Sequence, residues 1–231
     1  MCGRFTLTHP DPGALRSRFA LDERIELRPR FNVAPGDDVV AVTTDRDGAP
    51  SGDVLRWGLV PHWAKDPAAL GLKLINARSE TVTERPAFRD AFATHRCLIV
   101  ADGFYEWQRG ADGTRRPWWI ARADGEPFAF AGLWASWRAE PADVEPLRTC
   151  TILTTAAAPA IAHLHDRMPV MLQRADEPRW LAPDTSPAAL ADLCVPYEET
   201  SARPVSTAVN DARHDAPDCL DPPAPAPATL F

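Results

Sequence analysis

The stretch that decides the fold class is CLIVADGFYEWQRGADGTRRPWWIARADGEPFAFAGL, residues 97–133. Short runs rich in aromatic and aliphatic residues alternate there with two turn sequences that contain Ala-Asp-Gly. This is the pattern of antiparallel strands joined by hairpins. The predicted strands are residues 97–101, 104–108, 117–122 and 128–133. The stretch has no strand–helix–strand alternation, so it argues against a parallel α/β sheet.

The rest of the chain adds more strands and a few short helices. Helices are predicted at about residues 11–21, 79–92 with an interruption at Pro86, 156–163, 177–181 and 187–193. Further strands are predicted at 38–42, up to about 61, 148–155, after 167 and 203–207. We therefore expect an α+β fold, a single compact domain around a strongly bent, barrel-like, mostly antiparallel sheet with flanking helices. The domain is predicted over residues 2–215, followed by a disordered Pro/Ala-rich tail, residues 216–231.

Composition excludes several classes of protein. The formal charge of −7 over 231 residues argues against sequence-independent binding of long duplex DNA. There is no apolar run long enough for a membrane span and no signal-peptide pattern, so we expect a cytoplasmic protein with no membrane partner. The five cysteines are scattered and form no Cys-x-x-Cys pair. We expect no disulfide framework, no metal site and no cofactor.

The N-terminus, Met1-Cys2-Gly3-Arg4-Phe5, carries the clearest chemistry. Removal of Met1 would leave Cys2 with an α-amine and a thiol on adjacent carbons, with reference pKa values near ~8 and ~8.5. Such an aminothiol captures an aldehyde first as an imine and then as a five-membered thiazolidine. Two alternatives stay open at this point. Cys2 could be a small buried core residue, or it could be the nucleophile of an N-terminal-nucleophile hydrolase.

Two further segments carry candidate proton-transfer groups. In a strand, Glu106 of Gly-Phe-Tyr-Glu-Trp shares a face with Phe104, so it either faces solvent or occupies a site that raises its pKa. In His165-Asp166-Arg167, the imidazole has a pKa suited to moving protons near neutral pH. The competing interpretation of His165 is an ordinary histidine of a surface loop.

Candidate ligand-contacting residues lie in two other segments. Asn76 and Arg78 alternate on an extended stretch and share one face, where Arg78 could clamp a phosphate. The alternative for Arg78 is an ion pair with Glu80. Trp63 lies in a Pro-flanked loop and is a candidate for stacking on a base, although core packing is the common role of tryptophan.

Six separated motifs occur in a characteristic order. They are Met1-Cys2-Gly3-Arg4-Phe5, Phe31-Asn32-Val33-Ala34-Pro35, Trp57-Gly58, Ile75-Asn76-Ala77-Arg78-Ser79-Glu80, Asp102-Gly103-Phe104-Tyr105-Glu106-Trp107 and His165-Asp166-Arg167-Met168-Pro169. In order and spacing this set resembles the SOS response-associated peptidase (SRAP) family, from Cys2 to about Val209. Each motif is modest by itself, whereas the ordered set is highly specific.

The resemblance implies a protein that senses abasic sites in single-stranded DNA. We also expect it to bind at junctions between single-stranded and duplex DNA. Cys2 would form a thiazolidine DNA–protein cross-link, with associated lyase and self-reversal chemistry and with removal of Met1. By motif, the implied catalytic residues are Cys2, Asn76, Glu106 and His165. The implied DNA-binding residues are Arg4, Asn32, Trp63, Arg78, Thr155 and Arg167. We expect a monomer that is associated with the nucleoid when it engages DNA.

The chain departs from the family pattern at two places. Some relatives have paired tryptophans where this chain has only Trp63, and Pro86 stands where some have a basic residue. Two other functions remain as alternatives. One is an N-terminal-nucleophile amidohydrolase or autoprotease, which needs an amide substrate. The other is a non-covalent module for single-stranded DNA, in which Cys2 is only structural.

Overall fold

The computed structural model describes residues 2–45, 47–110, 113–139 and 145–224. Its strands are β1 Phe5–Leu7, β2 Arg30–Val33, β3 Asp38–Thr44, β4 Pro50–Trp57, β5 Asn76–Arg78, β6 Arg96–Ala101, β7 Gly103–Arg109, β8 Arg115–Arg122, β9 Phe128–Trp137, β10 Leu147–Ala156, β11 Arg167–Pro169 and β12 Thr200–Pro204. Its α-helices are α1 Pro12–Phe19, α2 Pro67–Gly71, α3 Arg89–Thr94, α4 Glu177–Leu181 and α5 Pro187–Ala191. None of these helices has the length and apolar character needed to cross a membrane.

The larger sheet closes on itself. Its strand order is β11-β10-β4-β3-β6-β9, and β9 also pairs with β10. Strands β4, β3, β6, β9 and β10 therefore form a closed five-stranded barrel, with β5 and β11 attached to β10. The pairings of β10 with β4 and with β5 are parallel, and the others in this sheet are antiparallel. This confirms the predicted α+β class and the barrel-like, mostly antiparallel sheet.

The smaller sheet is antiparallel and has the order β12-β8-β7-β1-β2. The side chains of β7 alternate between the two faces of the sheet as predicted. The two faces pack in different hydrophobic clusters. Phe104 packs in the cluster that includes Cys2, whereas Tyr105 packs with Val205 and Val209 from the C-terminal part of the chain. The face that carries Phe104 and Glu106 is thus turned towards the N-terminus.

Two predicted helices differ from the structure. The segment predicted as helix at 79–92 is a 3-10 turn at Ser79–Thr81, and α3 begins only at Arg89. Pro86 lacks an amide hydrogen and disfavours helix before it, which explains the late start. The helix predicted at 156–163 is wrong, because this segment is a series of turns in which Ile161 and Ala162 both donate to the Ala158 carbonyl.

The domain extends beyond the predicted boundary at 215. A 3-10 turn at Pro217–Leu220 packs on the smaller sheet, and Cys219 in it is fully buried. The first part of the predicted tail therefore belongs to the domain. Residues 225–231 lie outside the part of the chain that the structure describes, so the prediction of disorder there stays a prediction.

Candidate active site

Strand pairing brings the N-terminus beside Glu106. In the antiparallel pair of β1 and β7, Phe5 lies opposite Phe104, and the amide of Tyr105 donates to the Arg4 carbonyl at 3.0 Å. Extending this register places Gly3 opposite Glu106, with Cys2 as the next residue. The negative charge of Glu106 acts on the Cys2 thiol and raises its pKa.

Both groups are buried. Cys2 is fully buried, and this desolvation, together with the Glu106 charge, raises the pKa of its thiol far above the ordinary range. Glu106 is 4% exposed, and burial raises the pKa of its carboxyl group, with a further upward contribution from Asp166. The thiol is therefore protonated at neutral pH and needs a base. The carboxyl group retains its proton at a higher pH than an exposed glutamate does.

Asn76 joins the N-terminus to the barrel. It lies on β5 opposite Ile152 of β10, and its Nδ2 donates to the carbonyl oxygen of Cys2 at 2.8 Å. Its Oδ1 is buried and has no hydrogen-bond partner among the described residues. A buried acceptor without a partner is costly, so this oxygen is suited to a donor from a ligand or from a freed Cys2 amine.

His165 precedes β11, and two groups contact its Nδ1. The backbone N–H of Arg167 donates to Nδ1 at 3.0 Å, and Asp166 Oδ1 lies 2.8 Å from the same atom. The first contact suits a neutral ring with its proton on Nε2, and the second suits a ring protonated at Nδ1. Burial lowers the pKa of His165, as do the charges of Arg109 and Arg167, whereas Asp166 opposes them. The Asp166 carboxylate therefore contacts the His165 ring, although the side chains of adjacent residues rarely meet in this way.

The arginines of the two motifs have different environments. Arg167 forms a two-point ion pair with Glu80, with Nη1–Oε1 at 2.5 Å and Nη2–Oε2 at 3.0 Å. Arg78 is exposed and forms no ion pair with another described residue. The alternative in which Arg78 pairs with Glu80 is thus wrong, since Arg167 occupies that carboxylate. Arg78 is available to a phosphate, and Arg167 is engaged.

Asn32 is buried under Arg4. Its Nδ2 lies within hydrogen-bond distance of three carbonyl oxygens, at 3.3 Å from Val209, 2.9 Å from Asp211 and 2.8 Å from His214. Arg4 Nη1 donates to the Val209 carbonyl at 2.9 Å and to Asn32 Oδ1 at 3.4 Å. Because Asn32 is fully buried, its place in this structure allows it to support Arg4 but not to contact DNA directly.

The last two predicted DNA contacts, Thr155 and Trp63, differ in exposure. Thr155 is 5% exposed on β10, opposite Met168 of β11. Trp63 is 49% exposed and lines a separate cleft of about 370 Å³ with His95 and Trp134. None of the four predicted catalytic residues lines this cleft. Trp63 has the exposure that stacking requires, at a distinct part of the surface.

Two basic residues outside the sequence motifs act on the site. Arg115 of β8 lines a cleft of about 420 Å³ together with Gly3, Arg4, Trp107 and Asn210. Its charge acts on Glu106, and Arg109, directly opposite it on β7, acts on His165. The sequence does indicate them, because arginines flank the turn after the strand of Glu106 and hairpin pairing brings such residues together.

The described residues contain one group with possible metal ligands. The side-chain ligand atoms of His214, Asp218 and Cys219 lie within 4.8 Å of one another. His214 Nε2 is 2.7 Å from Asp218 Oδ1, so a hydrogen-bonded pair accounts for part of this approach. The group contains none of the predicted catalytic residues.

Proteins of known family resemble this chain over nearly its whole length. The family model "SOS response associated peptidase (SRAP)" matches residues 1–212. The abasic site processing protein YoaM of Bacillus subtilis is 42% identical over 227 residues, which are 96% of this chain and 98% of YoaM. The abasic site processing protein YedK of Escherichia coli is 31% identical, over 96% of this chain and all of YedK. The abasic site processing protein HMCES of Xenopus tropicalis is 32% identical, over 84% of this chain and 66% of HMCES.

Solved structures agree with the fold. A protein from Bacteroides thetaiotaomicron superposes with a TM-score of 0.86 at 21% identity, covering 96% of this chain and 99% of that one. A protein from Bordetella bronchiseptica superposes with a TM-score of 0.75 at 26% identity, covering 89% of this chain and 100% of the other. The family model and the relatives extend over most of the chain. The chain belongs to the SOS response associated peptidase (SRAP) family.

Proposed function

We propose that this protein processes abasic sites in single-stranded DNA by capturing the ring-opened sugar aldehyde on Cys2. The observation that carries the proposal is the convergence of Asn76 and Glu106 on Cys2, with Asn76 Nδ2 2.8 Å from the Cys2 carbonyl oxygen. The names of the relatives YoaM, YedK and HMCES, each an abasic site processing protein, support the same substrate.

The chemistry requires no oxidant or cofactor. Hydrolysis of the Met1-Cys2 peptide bond releases Met1 and frees the Cys2 α-amine. This amine adds to the C1′ aldehyde, and loss of one water from the carbinolamine gives an imine. The Cys2 sulfur then bonds to the imine carbon, the thiol proton ends on the nitrogen, and a thiazolidine ring closes. The adduct therefore has the mass of protein plus DNA less one water.

Glu106 is suited to both proton transfers. Because burial raises its pKa, its carboxyl group can donate a proton to the departing hydroxyl of the carbinolamine. The resulting carboxylate can then take the proton of the buried thiol, whose own pKa is too high for spontaneous ionisation. Asn76 fixes the Cys2 backbone during these steps, and its unpartnered Oδ1 can accept from the amine.

His165 acts at the sugar. With Nδ1 accepting from the Arg167 amide, a neutral ring carries its proton on Nε2. Its lowered pKa favours this neutral form, which can exchange protons with the sugar during ring opening and cross-link reversal. Where the imine is not trapped, a base near C2′ removes a proton and the 3′ C–O bond breaks, which is the proposed lyase reaction.

The DNA follows basic residues around the site. Arg78 and the cleft with Arg4 and Arg115 supply positive charge, although the chain as a whole is acidic. This restricted basic surface suits a short single-stranded footprint better than a long duplex. Thr155 lines the site, and Trp63 stacks on a base at the single-strand to duplex junction. The protein acts as a monomer in the cytoplasm, at the nucleoid when engaged.

A cross-linking assay with Cys2→Ala tests the proposal. Wild type and variant are incubated with an abasic single-stranded oligonucleotide and resolved under denaturing conditions. Wild type and a Cys194→Ala control are expected to form an adduct that resists denaturant, and Cys2→Ala none. Equal cross-linking by Cys2→Ala would refute the proposal. Turnover of an amide without DNA would instead support the hydrolase alternative. Equal affinity for intact and abasic strands, with no adduct, would support the binding module.

A further inference from the structure

The ion pair between Glu80 and Arg167 crosses a central strand of the site. Arg167 begins β11, and Glu80 follows β5 by two residues. Between them, Arg167 Nη2 also donates to the carbonyl oxygen of Thr154 on β10 at 2.6 Å and lies 3.2 Å from its Oγ1. The guanidinium thus reaches from β11 over β10 to Glu80.

The pair links two of the segments that carry predicted catalytic groups, those of Asn76 and His165. Strand β5 pairs with β10 through Asn76 opposite Ile152 and Arg78 opposite Thr154. Strand β11 pairs with β10 through Arg167 opposite Ala156. Asn76 and His165 therefore lie on segments that are attached separately to β10. The Glu80–Arg167 pair ties these two segments directly to each other.

Arg167 also determines the hydrogen bonding of His165. Its backbone N–H is the 3.0 Å donor to His165 Nδ1, a bond that favours the neutral tautomer with the proton on Nε2 and competes with Asp166 Oδ1 for the same atom. Glu80 holds the side chain of the same residue at two points. A shift of Arg167 changes this bond and leaves Nδ1 to Asp166.

Stability alone does not explain this arrangement. The Glu80 side chain is 51% exposed and that of Arg167 14%, so solvent screens the pair from the Glu80 side and limits its contribution to folding. Meanwhile Arg167 Nε is buried without a hydrogen-bond partner among the described residues, which costs free energy. Both terminal nitrogens of Arg167 therefore have acceptors, whereas its Nε has none among the described residues.

We propose that Glu80 is a positioning residue for the reaction, acting through Arg167 to hold His165 in its Nε2-protonated orientation relative to Asn76. This inference rests on the proposed function. The charged groups among the described residues that act most strongly on His165 are Asp166, Arg109 and Arg167. The contact that connects Glu80 to the segment of His165 is its ion pair with Arg167.

The test compares Glu80→Gln with Asp124→Asn. The Arg122–Asp124 pair is a matched control, with side chains 16% and 50% exposed against 14% and 51% for Arg167 and Glu80. At saturating abasic single strand, Glu80→Gln should slow cross-linking by about tenfold to a hundredfold, because misplaced groups lose catalysis. Its affinity for the strand should not weaken, its pH–rate profile should shift, and Glu80→Asp should recover part of the rate. Asp124→Asn should match wild type.

A readout without DNA separates this inference from the proposed function. The ring ¹⁵N shifts of His165 report its tautomer and titration, and Glu80→Gln should change both while Asp124→Asn does not. Wild-type rate, pH profile and ¹⁵N shifts in Glu80→Gln would overturn the inference. Tighter DNA binding at an unchanged rate would also overturn it, because Glu80 would then only occupy a phosphate position. Absence of any adduct in wild type refutes the proposed function instead.

Discussion

The side-chain amide of Asn76 donates a 2.8 Å hydrogen bond to the backbone carbonyl oxygen of Cys2. Asn76 belongs to a strand attached to the barrel, whereas Cys2 leads into the smaller sheet. This bond therefore fixes the N-terminus of the chain relative to the barrel. It also leaves Asn76 Oδ1 as a buried acceptor beside the proposed nucleophile.

Replacement of Asn76 with alanine should slow cross-linking by about fivefold. A hydrogen bond of this kind contributes about 1 kcal/mol, and about 1.4 kcal/mol of barrier corresponds to a tenfold rate. The measurement is the single-turnover rate with excess abasic single strand. Thr185→Ala, which loses a side-chain bond to the Arg179 carbonyl on the surface, is the control. A wild-type rate in Asn76→Ala would contradict the assigned role.

Replacement of Glu106 with glutamine should stabilise the protein at neutral pH. Burial raises the pKa of Glu106 in the folded state above its unfolded value near ~4.3. The folded state therefore binds this proton more tightly, and stability falls as pH rises through the folded pKa. The Tm advantage of Glu106→Gln should be full above the raised pKa of Glu106, should shrink as pH falls through that pKa, and should be absent below about pH 4. A constant Tm difference from pH 3 to 8 would show that this titration is not linked to folding.

The cross-linking rate of Glu106→Gln should lack the pH dependence that titration of Glu106 gives to the wild-type rate. In wild type, the rate should decline above the raised pKa of Glu106, because the general acid loses its proton. Glutamine cannot titrate, so this limb should vanish and the remaining rate should be low. Pre-steady-state rates from pH 4 to 9 provide the measurement. If Glu106→Gln retains both the wild-type rate and the declining limb, another group is the acid.

Replacement of Arg78 with alanine should weaken binding of single-stranded DNA and reduce its salt dependence. Each phosphate contact contributes about 0.7 to the slope of log K against log salt for single strands. Fluorescence anisotropy titrations at several salt concentrations measure this slope. Arg24→Ala removes an equally charged side chain that is 89% exposed and paired with Asp22. Equal slopes in both variants would mean that Arg78 does not contact a phosphate.

Replacement of Trp63 with alanine should reduce affinity for a single-strand to duplex junction more than for a plain single strand. Stacking on one base contributes about 1–3 kcal/mol, which corresponds to roughly fivefold to more than a hundredfold in Kd. The control is Val195→Ala, another exposed apolar side chain, at 55%. An equal effect on both DNA forms would argue against a role at the junction.

The sequence predicted those features that follow from local pattern. Alternation along 104–108 placed Phe104 and Glu106 on one face and Tyr105 on the other, and the two hydrophobic clusters follow this division. The hairpin signals of residues 97–133 predicted four of the strands. Closure of the barrel also required the parallel pairing of β4 with β10, in which Arg56 lies opposite Thr149, a long-range register that no local pattern encodes.

Partners of polar side chains were less predictable for the same reason. The motif gave Asn32 as a DNA contact, but its amide is buried against carbonyls about 180 residues further along the chain. Glu80 was paired with its neighbour Arg78 in one interpretation, whereas the fold delivers Arg167 from across β10. Such contacts depend on tertiary geometry, which residue spacing alone does not provide.

Aldehyde capture by a Cys2 that has lost Met1 changes the mass of the protein, so intact-mass spectrometry detects it. The protein is measured alone and after incubation with a short abasic single strand, beside Cys2→Ala. We expect a chain lacking Met1 that gains the mass of the oligonucleotide less one water, and no such gain for Cys2→Ala. A chain that retains Met1 and shows no adduct would contradict aldehyde capture and leave Cys2 as a core residue.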